Sequence, residues 1–351
     1  MNCNREEARM KRKLMLLLGS MAAFIVIVTI MISLIYPKAA RSNKEDKEPI
    51  HVVTSFYPIY LIGMNIADEM DGVEVSSLTD MNTGCLHDYQ LTTQDMKAIS
   101  NADVLVINGG GMEGFLEDIK TNYPNLTIIN ASEGITMLKY EAATGGSSVV
   151  ADNISKSEEH VVGKYNPHVW LNPELYIQQI KNVRDGLTEY INKSKTNTSV
   201  YREELNAEID HNSSVYIDAV QTIEDEIDTS LKQLTLPVNG TGKRPQAVIF
   251  HDAFAYLADK VGLQVAFTVP LDSDTALSAG DIAVIIDEVK KEDIKLLFTE
   301  QQYSDSIAKQ IEAETNANVY IIDSVVTGDG AKDSYLKKMR NNLMVIKKAL
   351  Q

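Results

Sequence analysis

The sequence predicts an α/β protein with two similar lobes, each a mostly parallel four-stranded sheet flanked by helices, joined by a long helix. Three observations support this prediction. Short β-rich runs alternate with helical stretches, the alternation occurs in residues 50–172 and again in residues 246–351, and helical periodicity dominates the residues between them. Strands that alternate with helices in this way are typical of βαβ units and a parallel sheet.

Each lobe contains four predicted strands. In the N-terminal lobe, residues 50–172, the strands lie at 50–55, 73–78, 104–108 and 126–130, and the helices at 60–70, 92–100 and 112–122. Pro58 comes just ahead of the first of these helices. In the C-terminal lobe, residues 246–351, the strands lie at 247–250, 264–269, 295–299 and 319–322, and the helices at 253–261, 279–291, 304–315 and 334–349.

Residues 173–245 form a predicted helical linker region, with long helices at 173–191 and 201–231. The second helix has an apolar stripe at three- to four-residue spacings with one longer gap, which marks one buried face. Its members are Leu205, Ile209, Tyr216, Val220, Ile223, Ile227 and Leu231. No glycine or proline interrupts this helix, so we expect the two lobes to move little against each other.

The N-terminal residues predict a membrane anchor. Residues 14–36 contain no charged side chain and are long enough to cross a bilayer as a helix. The run exceeds the roughly 7–15 apolar residues of a cleaved signal, so we predict that it is retained. Basic residues within 1–13 favour a cytoplasmic tail. Residues 37–49 are then a tether that holds the domain on the extracytoplasmic side of the cell membrane.

Charge and cysteine content exclude two classes of protein. The chain of 351 residues has a formal net charge of -16, which disfavours a nucleic-acid partner. Its two cysteines, Cys3 and Cys85, flank the predicted membrane segment and cannot form a disulfide framework. We expect a monomer.

Four side chains suited to metal binding follow predicted strands or lie in nearby loops. His87 follows the second strand of the first lobe, and His168 lies in a proline-bounded turn. In the second lobe, His251 and Asp323 each follow a strand. Ligands of open α/β sheets bind beyond the carboxyl ends of strands, so these residues predict a four-coordinate site between the lobes. A lone histidine at a strand end is more often an ordinary loop residue, and spacing alone leaves both interpretations open.

The motifs around these residues resemble those of the zinc/manganese solute-binding proteins of ABC importers. The segments are Gly84-Cys-Leu-His-Asp-Tyr-Gln-Leu, Ala102-Asp-Val-Leu-Val-Ile-Asn-Gly, Asn166-Pro-His-Val-Trp-Leu-Asn-Pro, Phe250-His-Asp-Ala-Phe-Ala-Tyr and Val319-Tyr-Ile-Ile-Asp. The resemblance runs from about residue 50 to the C-terminus and implies two lobes joined by a long helix. It also implies that His87, His168 and His251 are metal ligands, that Asp323 is the fourth, and that the partner is an ABC permease.

The chain departs from this family in three respects. A histidine-rich loop is reduced to His160 in the region before Asn166. Leu86 stands where an acidic ligand precedes the first histidine in some members, so Asp323 or water must complete the metal site. The N-terminus predicts an uncleaved anchor rather than a signal or lipid-attachment sequence.

The ligand types favour zinc. Imidazole suits zinc, whereas carboxylates and water suit manganese, so a histidine at position 251 indicates a His₃Asp zinc site with manganese as the alternative. Glu300, at the end of a strand, is predicted to hydrogen-bond a ligand imidazole, and Glu113 to support the site from behind the ligands. Cys85, two residues from His87, is interpreted as a partly buried structural thiol, with a thiolate ligand as the alternative.

Other functions fit parts of this pattern. Three histidines with an open position also describe a zinc-dependent hydrolase. A solute-binding protein for a chelated metal or vitamin has a similar build, and a surface adhesin can hold a structural metal. Residues 109–114 match the G-x-G-x-x-G dinucleotide pattern, but they follow the third strand of the lobe, which favours a glycine-rich turn. The favoured function is metal capture for import, without catalysis.

Overall fold

The computed structural model describes residues 49–87, 89–139, 165–194, 198–233, 244–269, 278–300 and 305–351. The predicted cytoplasmic tail, the membrane anchor at 14–36, nearly all of the tether and the loop that contains His160 lie outside these residues. Within the described part of the chain, no helix is both long and apolar enough to cross a membrane.

The N-terminal lobe is a parallel four-stranded sheet with strand order β2-β1-β3-β4. Central strand β3 reads Val-Leu-Val-Ile and is buried along its whole length, as expected for a strand covered on both faces. The elements are β1 (Ile50–Thr54), α1 (Tyr57–Ile66), β2 (Val73–Ser77), α2 (Thr93–Ser100), β3 (Val104–Ile107), α3 (Leu116–Asn122) and β4 (Thr127–Asn130).

Two antiparallel helices follow this lobe: α4 (Pro173–Lys193) and α5 (Ser199–Gln233). The Asn206 side chain, early in α5, donates to Asn192 Oδ1, near the end of α4, at 2.9 Å, as expected for antiparallel neighbours. Five of the seven stripe residues in α5 bury at least 99% of their surface, and Tyr216 buries 97%. The side chain of Leu231 is not among those that the structure describes. Ser213, fully buried, fills the longer gap in the stripe. The buried face is therefore continuous. The apolar pattern shows a gap there only because the buried residue at that turn is a serine.

The C-terminal lobe repeats the arrangement with strand order β6-β5-β7-β8, again parallel. The elements are β5 (Gln246–Ile249), α6 (Phe254–Lys260), β6 (Gln264–Thr268), α7 (Ala279–Lys291), β7 (Leu296–Thr299), α8 (Asp305–Glu314), β8 (Asn318–Ile321) and α9 (Ser334–Ala349). The predicted fold class is confirmed.

Two helix starts differ from the sequence prediction. Helix α1 begins at Tyr57 rather than at residue 60, because Pro58 occupies its first turn, where the missing N–H costs nothing. Helix α3 begins at Leu116 rather than at residue 112. Residues 109–111 are all glycines with positive φ, so a left-handed turn precedes this helix.

Direct contacts join the two lobes around the His168 turn. The Trp170 indole N–H donates to the Ser324 carbonyl at 2.8 Å, and the Tyr335 hydroxyl donates to the Trp170 carbonyl at 2.9 Å. The Tyr57 hydroxyl donates to Ser334 Oγ at 2.9 Å. One hydrophobic core contains side chains from both sheets and from α4 and α5, and residues from Pro49 to Gln351 form one compact unit.

Candidate metal centre

His168 is held rigidly in a single orientation. It lies just before the short 3₁₀ turn Val169–Leu171 and is fully buried. Asn166 Oδ1 accepts from the His168 backbone N–H at 3.0 Å and lies 2.7 Å from His168 Nδ1. Asn166 is itself fixed, since its amide donates to the Asp252 carbonyl at 2.9 Å. The proton of this imidazole therefore resides on Nδ1, which leaves the Nε2 lone pair to bind a metal.

The other two predicted histidines converge on His168. His87 Nε2, from the loop after β2, lies 3.1 Å from His168 Nε2. His251, which follows β5 in the other lobe, has its ring centroid 5.0 Å from that of His168. The N-terminal lobe thus contributes two imidazoles to this cluster and the C-terminal lobe contributes one.

The electrostatic environment keeps His168 neutral. Burial lowers the pKa of His168 well below its usual range, and the neighbouring His251 and His87 lower it further. A metal binds only an unprotonated ring nitrogen, so a neutral His168 could accept a metal at neutral pH.

Cys85 lies inside the same cluster. Its Sγ is 3.7 Å from His168 Nε2 and 3.7 Å from His251 Nε2. Ligand atoms of Cys85, His87 and His168 all lie within 4.8 Å of one another, which is the spacing of side chains that can share a metal ion.

Asp323 has other contacts. Its Oδ1 accepts from the Val325 backbone N–H at 2.7 Å, and its Oδ2 pairs with the Lys338 ammonium of α9. Among the described residues, the group of ligand atoms that all lie within 4.8 Å of one another includes neither Asp323 nor His251.

A family model for ZnuA, the periplasmic component A of the zinc-uptake complex, matches residues 52–349. The chain belongs to this family. The predicted resemblance is therefore confirmed.

Relatives and solved structures of similar proteins agree with membership of the ZnuA family. The chain is 25% identical to the high-affinity zinc uptake system protein ZnuA of Bacillus subtilis over 319 residues, which cover 89% of this chain and 91% of that protein. It is 25% identical to the zinc-binding protein AdcA of Streptococcus pyogenes serotype M6 over 350 residues, 97% of this chain but only 61% of that protein. The chain thus spans about three-fifths of AdcA.

Two solved structures share the fold. FpvC of Pseudomonas aeruginosa in complex with Mn²⁺ is similar with a TM-score of 0.68 at 22% identity, covering 87% of this chain and 99% of that one. The Zn(II)-bound ZnuA-like domain of Streptococcus pneumoniae AdcA has a TM-score of 0.65 at 22% identity, covering 86% and 99%.

In this ZnuA-family chain, Glu300 lies behind His251. The Glu300 Oε1 atom is 3.5 Å from His251 Nδ1, and both side chains are almost fully buried. The Ala253 backbone N–H donates to His251 Nδ1 at 3.2 Å, so Nδ1 is an acceptor in this structure, and a proton on Nδ1 would replace this hydrogen bond. If His251 binds a metal through Nε2, its proton moves to Nδ1 and faces the Glu300 carboxylate, an arrangement that orients ligand histidines in many zinc sites.

Glu113 lies farther from the cluster than Glu300 and contacts it only through other residues. It is buried in the glycine-rich turn after β3, where its carboxylate accepts from the backbone N–H groups of Asn108 at 2.7 Å and Gly109 at 3.0 Å. The Asn108 side chain in turn donates to the Pro167 carbonyl at 3.0 Å, one residue before His168. A Cβ at Gly109 would collide with the Asn130 side chain, so this turn requires glycine for close packing.

Sequence reasoning missed two features of the centre. Asn166 fixes the His168 tautomer, and the sequence shows its place two residues before this candidate ligand. The pairing of Lys338 with Asp323 joins residues 15 positions apart across a loop. No local pattern indicates that pairing.

Proposed function

We propose that this chain captures Zn²⁺ outside the cytoplasm and delivers it to an ABC-type importer, with Mn²⁺ as a weaker alternative cargo. The observation that carries the proposal is the approach of His87 from one lobe and His251 from the other to the buried His168. Imidazole nitrogens at this spacing match zinc, and membership of the ZnuA family supports zinc uptake as the role.

In this proposal the three histidines bind zinc through Nε2. Glu300 accepts the Nδ1 proton of His251, and Glu113 stiffens the turn beneath His168. Asp323 reaches the metal only if it leaves Lys338, so it is a conditional fourth ligand. The centre is largely buried, which favours holding a cargo ion over admitting a substrate to a catalytic water.

We further propose that residues 14–36 anchor the chain in the cell membrane and that 37–49 tether the binding domain near its permease partner. The uncharged apolar run and the basic residues ahead of it support this arrangement. The domain acts as a monomer without nucleic acid, and it is not an enzyme.

Equilibrium dialysis of the full-length chain against bare Zn²⁺ tests the proposed cargo. We expect one ion per chain with a dissociation constant below about 1 µM, a free energy of about -8 kcal/mol, and weaker binding of Mn²⁺. Failure to bind bare zinc, together with binding of a chelated metal or vitamin, would indicate the alternative solute. Chelator-sensitive turnover of ester or phosphoester substrates would indicate a hydrolase instead.

A further inference from the structure

Cys85 contacts both the hydrophobic core and two of the clustered histidines. Its Sγ is equidistant, at 3.7 Å, from Nε2 of His168 and of His251, the two most deeply buried imidazoles of the cluster. These two nitrogens belong to different lobes. Cys85 also packs against the hydrophobic core, and that packing alone does not explain why its sulfur lies close to two metal-binding atoms.

Three of the six ligand-to-ligand distances match those of a tetrahedral zinc site, and closure of the site requires His251 to move nearer to the other three ligands. With zinc bonds of about 2.05 Å to nitrogen and about 2.3 Å to sulfur, tetrahedral angles place two nitrogens about 3.3 Å apart and a nitrogen about 3.6 Å from sulfur. The structure has 3.1 Å between the Nε2 atoms of His87 and His168, and 3.7 Å from Cys85 Sγ to each of two Nε2 atoms. These three distances between ligand atoms lie within a few tenths of an ångström of the ideal values.

The local chain explains why residue 85 supplies this atom. Leu86 is fully buried in the hydrophobic core, whereas Cys85 and His87 on either side are only partly buried and reach the cluster. Gly84, with φ +86, allows the turn that precedes them. Asp323, the other candidate for the fourth position, is engaged by Lys338 and by the Val325 N–H.

We infer that Cys85, as a thiolate, is the fourth zinc ligand, which makes the centre His₃Cys and sets its preference for zinc over manganese. This inference rests on the proposed zinc-binding function. As the Zn–S bond forms, the S–H bond breaks and its proton leaves to solvent, because a coordinated thiol is deprotonated. Thiolate is a soft ligand that selects zinc, whereas manganese prefers carboxylate and water.

Cobalt substitution tests this inference by spectroscopy. Co²⁺ bound to the full-length chain should give a sulfur-to-cobalt charge-transfer band in the near ultraviolet. Cys85→Ser should lose that band, and Asp323→Asn should retain it. Cobalt that binds one per chain without the band would overturn the inference and leave the proposed function standing. Failure of the wild-type chain to bind either zinc or cobalt would instead defeat both.

Metal selectivity gives a second readout. Cys85→Ser should lower the ratio of the zinc affinity to the manganese affinity by about 10–100-fold. Losses of metal affinity in this range are typical even for residues that only orient a ligand. An unchanged ratio in Cys85→Ser, with a large loss in Asp323→Asn, would assign the fourth position to Asp323 and overturn the inference.

Alkylation of the wild-type chain avoids any variant that fails to fold. Zinc should protect Cys85 from iodoacetamide, measured for each cysteine by peptide mass spectrometry. Cys3, far from the centre in sequence, is the internal control and should react equally with and without zinc. Equal reactivity of Cys85 with and without bound zinc would contradict coordination through sulfur.

Discussion

Replacement of His168 by alanine is expected to weaken zinc binding by more than about 100-fold, since even groups that only orient a ligand cost 10–100-fold in metal affinity. His168 is the central imidazole of the cluster, adjacent to both His87 and His251. Its tautomer is fixed in advance by Asn166, so its loss removes both a ligand and the orientation already provided for it. Competition with a chelator of known zinc affinity measures the effect.

The matched control is His211→Ala. His211 is exposed on helix α5, away from the strand ends that carry the cluster. It should bind zinc within about twofold of the wild-type chain, as expected for a surface change with an effect under about 0.5 kcal/mol. A loss of affinity in His168→Ala no larger than that in His211→Ala would remove His168 from the site.

Trp170→Ala is expected to lower the free energy of unfolding by about 3–5 kcal/mol, the usual cost of truncating a buried tryptophan. Trp170 is fully buried, packs edge-on against Phe56 with ring centroids 5.2 Å apart, and donates to the Ser324 carbonyl of the other lobe. Its removal leaves a cavity beside His168 and an unpaired carbonyl between the lobes. Urea unfolding of chelator-treated protein measures the change.

Two further variants separate the causes of this loss. Trp170→Phe keeps much of the packing but removes the indole N–H, and should cost about 1–3 kcal/mol for the unsatisfied partner. Val200→Ala, at a side chain that is 72% exposed, should change stability by less than about 0.5 kcal/mol. Equal stability of Trp170→Ala and Val200→Ala would show that the contact between the lobes contributes little to stability.

The sequence predicts the fold well because burial patterns are local. Strand β3 is a continuous apolar run, and the stripe of α5 repeats with helical spacing, so each element can be identified without its neighbours. Errors arise where backbone conformation overrides periodicity. The glycines at 109–111 delay α3, and Pro58 lies within the first turn of α1 rather than before it.

The candidate site is only partly predictable. His87 and His251 are expected near each other because each follows a strand and parallel strands end at one edge of a sheet, whereas His168 lies in a turn that is recognised by its motif. The place of Cys85 depends on which way the loop at residues 84–87 turns its side chains, which the burial of Leu86 decides. The pairing of Asp323 with Lys338 depends on how α9 packs on β8, a tertiary contact with no local sequence pattern.

X-ray absorption at the zinc edge of the full-length chain, loaded with one equivalent of zinc, tests the central claim most directly. We expect three imidazole nitrogens at about 2.0–2.1 Å from zinc, and a sulfur at about 2.3 Å as a separate test of Cys85. A zinc shell made of oxygen atoms, with no scattering from imidazole rings, would contradict the claim that His87, His168 and His251 hold a single ion.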